Sequence, residues 1–110
     1  MRRGEIWTAA GGSGYAGKPR PVLVIQDDRF DATESVTICA FTADRTEAPL
    51  FRLRVEPSAA NGLHEESSLM GDKITTVHRS RLAKRVGRLG DEDLIRLGRA
   101  MVVFFGLAGA

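Results

Sequence analysis

Through most of this chain the apolar positions fall in short runs and two-residue alternations, and only the C-terminal stretch repeats at helical spacing. Glu5 to Thr8, carrying Ile6 and Trp7, reads as a short strand. The stretch from Ala9 to Gly17 holds four glycines and predicts no regular element. Pro21-Val22-Leu23-Val24-Ile25 is apolar on consecutive positions and rich in β-branched residues. It predicts a central strand buried on both faces, with Pro21 at its first position, where a missing N–H is tolerated. Val36 to Phe41 has strand composition, and Leu50 to Val55 alternates as a strand with one wet face. Asn61-Gly62 marks a tight turn. Ser67 to Met70 and Lys73 to Val77 predict two strand pieces interrupted at Gly71, whose lack of a side chain permits a bulge or a close backbone approach. Arg79 to Leu82 reads as a single helical turn and Arg85 to Leu89 as a last short strand, ending at Gly90.

Asp91-Glu92-Asp93 then suits the positive N-terminus of a helix. Leu94, Leu97, Met101, Phe104 and Phe105 recur near 3.6 residues per turn and predict the face that packs on the sheet, with Glu92, Arg96 and Arg99 on the other side. Met101 to Phe105 is apolar all round, so this end is expected either to be engulfed or to meet a second subunit. Trp7 and Phe41 are expected in the core. Several close strands followed by one helix predict a small, strongly bent sheet or partly open barrel capped by that helix. With 110 residues and no internal repeat or linker, one domain over 1–110 is expected.

Composition changes this picture little: 43% hydrophobic and 27% charged residues are ordinary globular values that argue against disorder. No apolar run approaches the ~20 residues of a membrane span, and no apolar signal stretch follows the basic start, so a cytoplasmic protein is expected. Cys39 is the single cysteine, and two widely spaced histidines complete no familiar metal site, so no metal or cofactor is expected. Charge is more informative in its placement than in its sum of +2. Arg79, Arg81, Lys84, Arg85 and Arg88 crowd ten acid-free residues, from 79 to 88, while Asp27, Asp28, Asp31 and Glu34 cluster in a predicted loop. Such a basic segment is either a solvated face or a surface for a polyanion.

The order of particular residues narrows the choice. Arg2-Arg3-Gly4-Glu5-Ile6-Trp7, Lys18-Pro19-Arg20-Pro21 before the apolar strand, Ala40-Phe41-Thr42, Gly71-Asp72-Lys73-Ile74, and Ser80-Arg81-Leu82 leading to Gly87-Arg88-Leu89 together resemble the MazF/PemK toxin family, from Arg2 to about Leu107. The resemblance implies a mostly β fold with α, a small SH3-like barrel with a C-terminal helix, assembled as a homodimer. It implies a sequence-selective, metal-independent endoribonuclease that cuts single-stranded RNA and is held inactive by a small acidic antitoxin, with operator DNA bound only through the antitoxin complex and no membrane partner. RNA carries its own nucleophile, the 2′-OH, so such an enzyme needs a proton acceptor, a group to assist the leaving 5′-oxygen, and donors for the phosphate charge. Products would be 2′,3′-cyclic phosphate and 5′-OH ends.

The family motifs place catalytic residues at Arg20, Thr42 and Asp72. The planar fork of Arg20 suits a phosphate, the Thr42 hydroxyl can donate to it, and Asp72 would serve as base, orient Arg20 or form a structural salt bridge. Tyr15 is expected to stack on a base, and Lys18, Lys73, Arg79, Arg81 and Lys84 to contact the RNA backbone. The chain departs from the common pattern in having no acid between Gly11 and Gly17, Met70 two places before Asp72, and Lys73 where many members have Gln. His64 and His78 lie in no matching motif. Two rival readings are a gyrase-binding toxin of the CcdB type, which shares the fold, and a degenerate toxin whose remaining task is antitoxin binding and operon control.

Overall fold

The computed structural model describes residues 1–10 and 19–109. Its six strands are β1 (Glu5–Ala9), β2 (Arg20–Val24), β3 (Ser35–Thr42), β4 (Arg52–Val55), β5 (Ser67–His78) and β6 (Leu82–Arg88), followed by helix α1 (Asp91–Phe104). They form one antiparallel sheet in the order β4-β5-β3-β2-β1-β6. The mostly β architecture with a C-terminal helix is the predicted one.

Both faces of the sheet are covered, and the pleat sorts the side chains between them. Leu23 and Ile25 join Ile6, Phe41, Leu53, Leu69 and Leu97 in a core under α1. Val22 and Val24 project the other way and join Ala9, Val36, Ile38 and Leu82. The consecutive apolar run of β2 therefore has the physical cause read from it: a central strand with two dry faces. Phe41 lies in the first core, whereas Trp7 is only half-buried, its indole N–H donating to Glu5 Oε1 at 3.1 Å.

Gly71 behaves as both options for it suggested, except that β5 runs through it as one strand. Cys39 pairs with Ile74 but Phe41 with Leu69, so Ala40 alone faces the four residues from Met70 to Lys73. Gly71 sits in that irregularity and donates its N–H to the Phe51 carbonyl at 2.7 Å. A Cβ there would lie 2.9 Å from the same oxygen. β4 starts two residues later than predicted, because Leu50 and Phe51 belong to the turn whose Phe51 N–H donates to the Ala48 carbonyl. The turn before Leu63 is pinned by buried Asn61, whose Oδ1 accepts from Ser58 and Leu63 N–H groups and whose Nδ2 donates to the Glu56 carbonyl.

Helix α1 packs through Leu94, Leu97, Ala100 and Met101. The predicted packing face fails at its end: Phe104 and Phe105 are 45% and 50% exposed. Val102, Val103 and Leu107 are exposed as well, so the chain does not engulf its own helix end. Phe51, 5.9 Å away between ring centroids, is the described aromatic contact for Phe104 outside the helix end itself. Among the described residues no helix is long and apolar enough to cross a membrane.

Candidate phosphate-binding site at the ends of β2 and β3

Arg20 opens β2, exposed, directly across from Ala9 of β1. Thr42 closes β3 and pairs with Ser68 of β5. β2 and β3 are registered with Val22 opposite Ala40, so continuing that register by two residues sets Arg20 opposite Thr42. Residues two apart share a face, which puts both on the side of Val22, Val24 and Ile38, away from α1. The Thr42 hydroxyl accepts the Asp44 N–H at 3.1 Å. Its oxygen is thereby fixed while its own proton stays available to donate. Asp44 in turn accepts from the Thr46 hydroxyl at 2.9 Å and its N–H at 3.0 Å, contacts that hold the Asp44 carboxyl below its usual range and order the start of the β3–β4 loop.

Asp72 lies on β5 at the irregularity, and its partner is Arg52 of β4. Nε and Nη2 of Arg52 donate to its two oxygens at 2.9 and 3.3 Å. The pair is well covered, at 13% and 21% side-chain exposure. The Arg52 hydrogen bond holds Asp72 below the ordinary carboxylate range. Arg52 also rests over the Phe51 ring, 6.0 Å from its centroid.

The basic residues have different fates. Lys73 is exposed next to Asp72. Arg79 is half-buried, its Nε donating to the Thr33 carbonyl and its backbone N–H to the Glu34 carbonyl, so it ties the β5–β6 turn to the β2–β3 loop. Arg81 is exposed and reaches the Ala10 carbonyl at 3.4 Å. Lys84 is exposed on β6 opposite Thr8. Ala9 bridges Arg20 on one side and Leu82 on the other, which brings Arg81 and Lys84 to the same end of the sheet as Arg20. Tyr15 and Lys18 lie outside the described residues. His78 caps the turn through Nδ1, which accepts from the Ser80 N–H at 3.1 Å. His64 lines a cleft of about 250 Å³ with Thr8, Pro19, Pro21, Leu63 and Val86.

Three residues join the site that the motifs left out: Arg52, Arg54 and Ser68. Arg54 pairs across the sheet with Ser68, and Ser68 with Thr42, so donors continue in one row from Arg20 to the β4 edge. The only sequence signal for the two arginines is the alternation of β4, in which Leu53 and Val55 turn inward. Among the described residues no group of three His, Cys, Asp or Glu side chains is placed to hold a metal ion.

An antiparallel sheet with one packed C-terminal helix, with arginine and hydroxyl side chains at its strand ends, defines a small β-fold protein whose donor set has the chemistry to meet anionic oxygens. The family described as PemK-like, MazF-like toxins of type II toxin–antitoxin systems matches residues 2–105. The chain is 62% identical over 109 residues, 99% of its length and 100% of the relative's, to a probable endoribonuclease MazF of Mycolicibacterium smegmatis. It is 31% identical to endoribonuclease EndoA of Bacillus subtilis, across 97% of this chain and 96% of that one. In three dimensions it is similar to a mycobacterial endoribonuclease solved in complex with its cognate antitoxin, at a TM-score of 0.80 and 21% identity over 100% and 99% of the two chains. The chain belongs to this toxin family, as an endoribonuclease of the MazF type.

Proposed function

We propose that this toxin cuts single-stranded RNA without a metal ion, with Arg20 and Thr42 holding the scissile phosphate. The 2′-oxygen attacks phosphorus as its proton is removed, the bond to the 5′-oxygen breaks, and that oxygen takes up a proton. The products are a 2′,3′-cyclic phosphate and a 5′-OH. Charge gathers on the non-bridging oxygens, where a guanidinium fork and a hydroxyl donor lower the barrier most. The observation that supports this reading best is the β2–β3 register, in which Val22 lies opposite Ala40, so that the same register continued to the strand ends pairs Arg20 with Thr42. Asp72 acts as a positioning residue. Kept ionised by Arg52, it is a weak proton acceptor at neutral pH, and it fixes the guanidinium beside the row. Lys18, Lys73, Arg81 and Lys84 supply charge along the RNA path, and Tyr15 stacks on an unpaired base.

The protein works as a homodimer neutralised by a small acidic antitoxin. Ile95, Val102, Val103, Phe104, Phe105 and Leu107 leave an apolar surface that a second copy would cover. The relative solved with its cognate antitoxin supports the second partner. The test is incubation of wild-type and Arg20→Ala protein with a long mixed-sequence RNA in EDTA, with mapping of the ends. Discrete cuts bearing cyclic-phosphate and 5′-OH ends are expected from wild type, and a rate lower by at least ~100-fold from the variant. Equal cutting by both would remove Arg20 from the site.

A further inference from the structure

Beyond Thr42 the row of donors runs on to a second site. Thr42 pairs with Ser68 of β5 and Ser68 with Arg54 of β4, the edge strand. Neighbouring strands lie roughly 4.8 Å apart. Ser68 is therefore one strand spacing from Thr42 and Arg54 two, a separation that one nucleotide step of an extended strand can bridge. Ser68 is only 5% exposed as a residue, and among the described residues the one buried polar side-chain atom left without a partner is Nη2 of Arg79, so the Ser68 hydroxyl carries no burial cost. Ser68 lines an open cleft of about 370 Å³ together with Thr46, Arg52, Arg54 and Arg96, and Glu47 is the one acid of its lining.

The arginines of this cleft are held but not used up. Arg54 Nη1 meets Glu66 Oε1 at 2.7 Å, with 43% of the arginine side chain and 34% of the glutamate exposed. Arg96 Nη1 meets Asp93 Oδ1 at 2.7 Å, and the Arg54 carbonyl at 3.5 Å. A guanidinium has five N–H donors, so each keeps some for a further anion. Glu66 is the group a phosphate would have to displace from Arg54.

We infer that Arg54 and Ser68 form a second phosphate subsite, which takes the RNA linkage adjoining the one held by Arg20 and Thr42. This inference rests on the reading of Arg20 and Thr42 above. Arg54 supplies the charge and Ser68 a hydroxyl donor from the cleft lining, while Glu66 restrains Arg54 until the phosphate arrives. The subsite serves binding and placement of the strand, so its loss falls on KM.

The experiment measures KM and the salt dependence of binding for an oligoribonucleotide with a mapped cut, using wild type, Arg54→Gln, Ser68→Ala and Glu66→Gln. Arg54→Gln and Ser68→Ala should each raise KM about tenfold, the size of one charged hydrogen bond. Arg54→Gln should also flatten the logarithmic salt slope by about 0.7, the increment for one phosphate of a single strand. Glu66→Gln should move KM the opposite way, which no general loss of folding would do. A neutral methylphosphonate at the adjoining linkage should weaken wild type and leave Arg54→Gln no weaker than before. Unchanged KM and slope in Arg54→Gln, with wild type still cutting, would overturn the subsite and leave the role of Arg20 standing. Normal RNA binding by that variant with weakened capture of the antitoxin would overturn it too, assigning the cleft to the acidic partner. A wild-type protein that cuts no RNA would overturn both readings.

Discussion

Asp72 accepts two hydrogen bonds from Arg52, and little of either side chain reaches water. That arrangement predicts a pH dependence of stability with a definite sign. The folded-state pKa is below the unfolded value near 3.9, so the pair stabilises the fold above that value and loses its effect as pH falls through the folded pKa. Asp72→Asn should therefore cost about 1–3 kcal/mol at pH 7, and the difference from wild type should shrink in urea melts carried below pH 4. A constant difference across that range would mean that the pair contributes nothing through its charge. The sequence offered three roles for Asp72, and its motif alone held no means of choosing between them. Arg52 lies 20 residues away, so pairing with it depends on β4 and β5 being neighbours. Arg79 shows the same limit: its charge was legible, but not that its Nε meets the Thr33 carbonyl.

At the scale of elements, the strands were readable because β-branched runs and two-residue alternation are local consequences of the pleat. Gly71 was readable as a place of close approach for the same reason, since only a missing side chain makes such an approach possible. The closeness of Gly87 to the 60–61 turn was not readable. A Cβ at Gly87 would lie 2.3 Å from both the carbonyl carbon and the oxygen of Asn61, and 2.6 Å from the Ala60 oxygen that accepts the Arg88 N–H. Those atoms are backbone, held by the Asn61 side chain, and cannot swing aside. Gly87→Ala should thus force β6 and this turn apart, at a cost of about 1–3 kcal/mol, seen as a lower Tm. Gly90→Ala is the control, because nothing lies within 4 Å of a Cβ built there.

For the whole molecule the open question is what covers the end of α1. The apolar periodicity of Leu94, Leu97 and Met101 continues into Phe104 and Phe105, but burial stops after Met101. A helical period reports which face is apolar and is blind to where the neighbouring sheet ends. If a second copy completes this surface, light scattering should give twice the chain mass for wild type. Phe104→Ser should lower that mass toward a monomer at micromolar concentration while the far-ultraviolet spectrum keeps its β character. A wild type that is monomeric at those concentrations would assign the apolar end to another partner.

The sequence by itself determined most of the strands though not the bounds of β4, β5 and β6, together with the two-faced burial of β2, the helix with its acidic first turn, and the family to which the chain belongs. These are properties of local pattern and of residue order, and both survive without knowledge of the fold. Only the tertiary structure decided which residues meet. The order β4-β5-β3-β2-β1-β6 brings Arg54, Ser68, Thr42 and Arg20 into one row from four separate strands. It pairs Asp72 with Arg52 and leaves the last turn of α1 uncovered. The reason is physical: hydrophobic patterning acts over a few residues, whereas a binding site is assembled from cross-strand neighbours whose separation along the chain is set by topology.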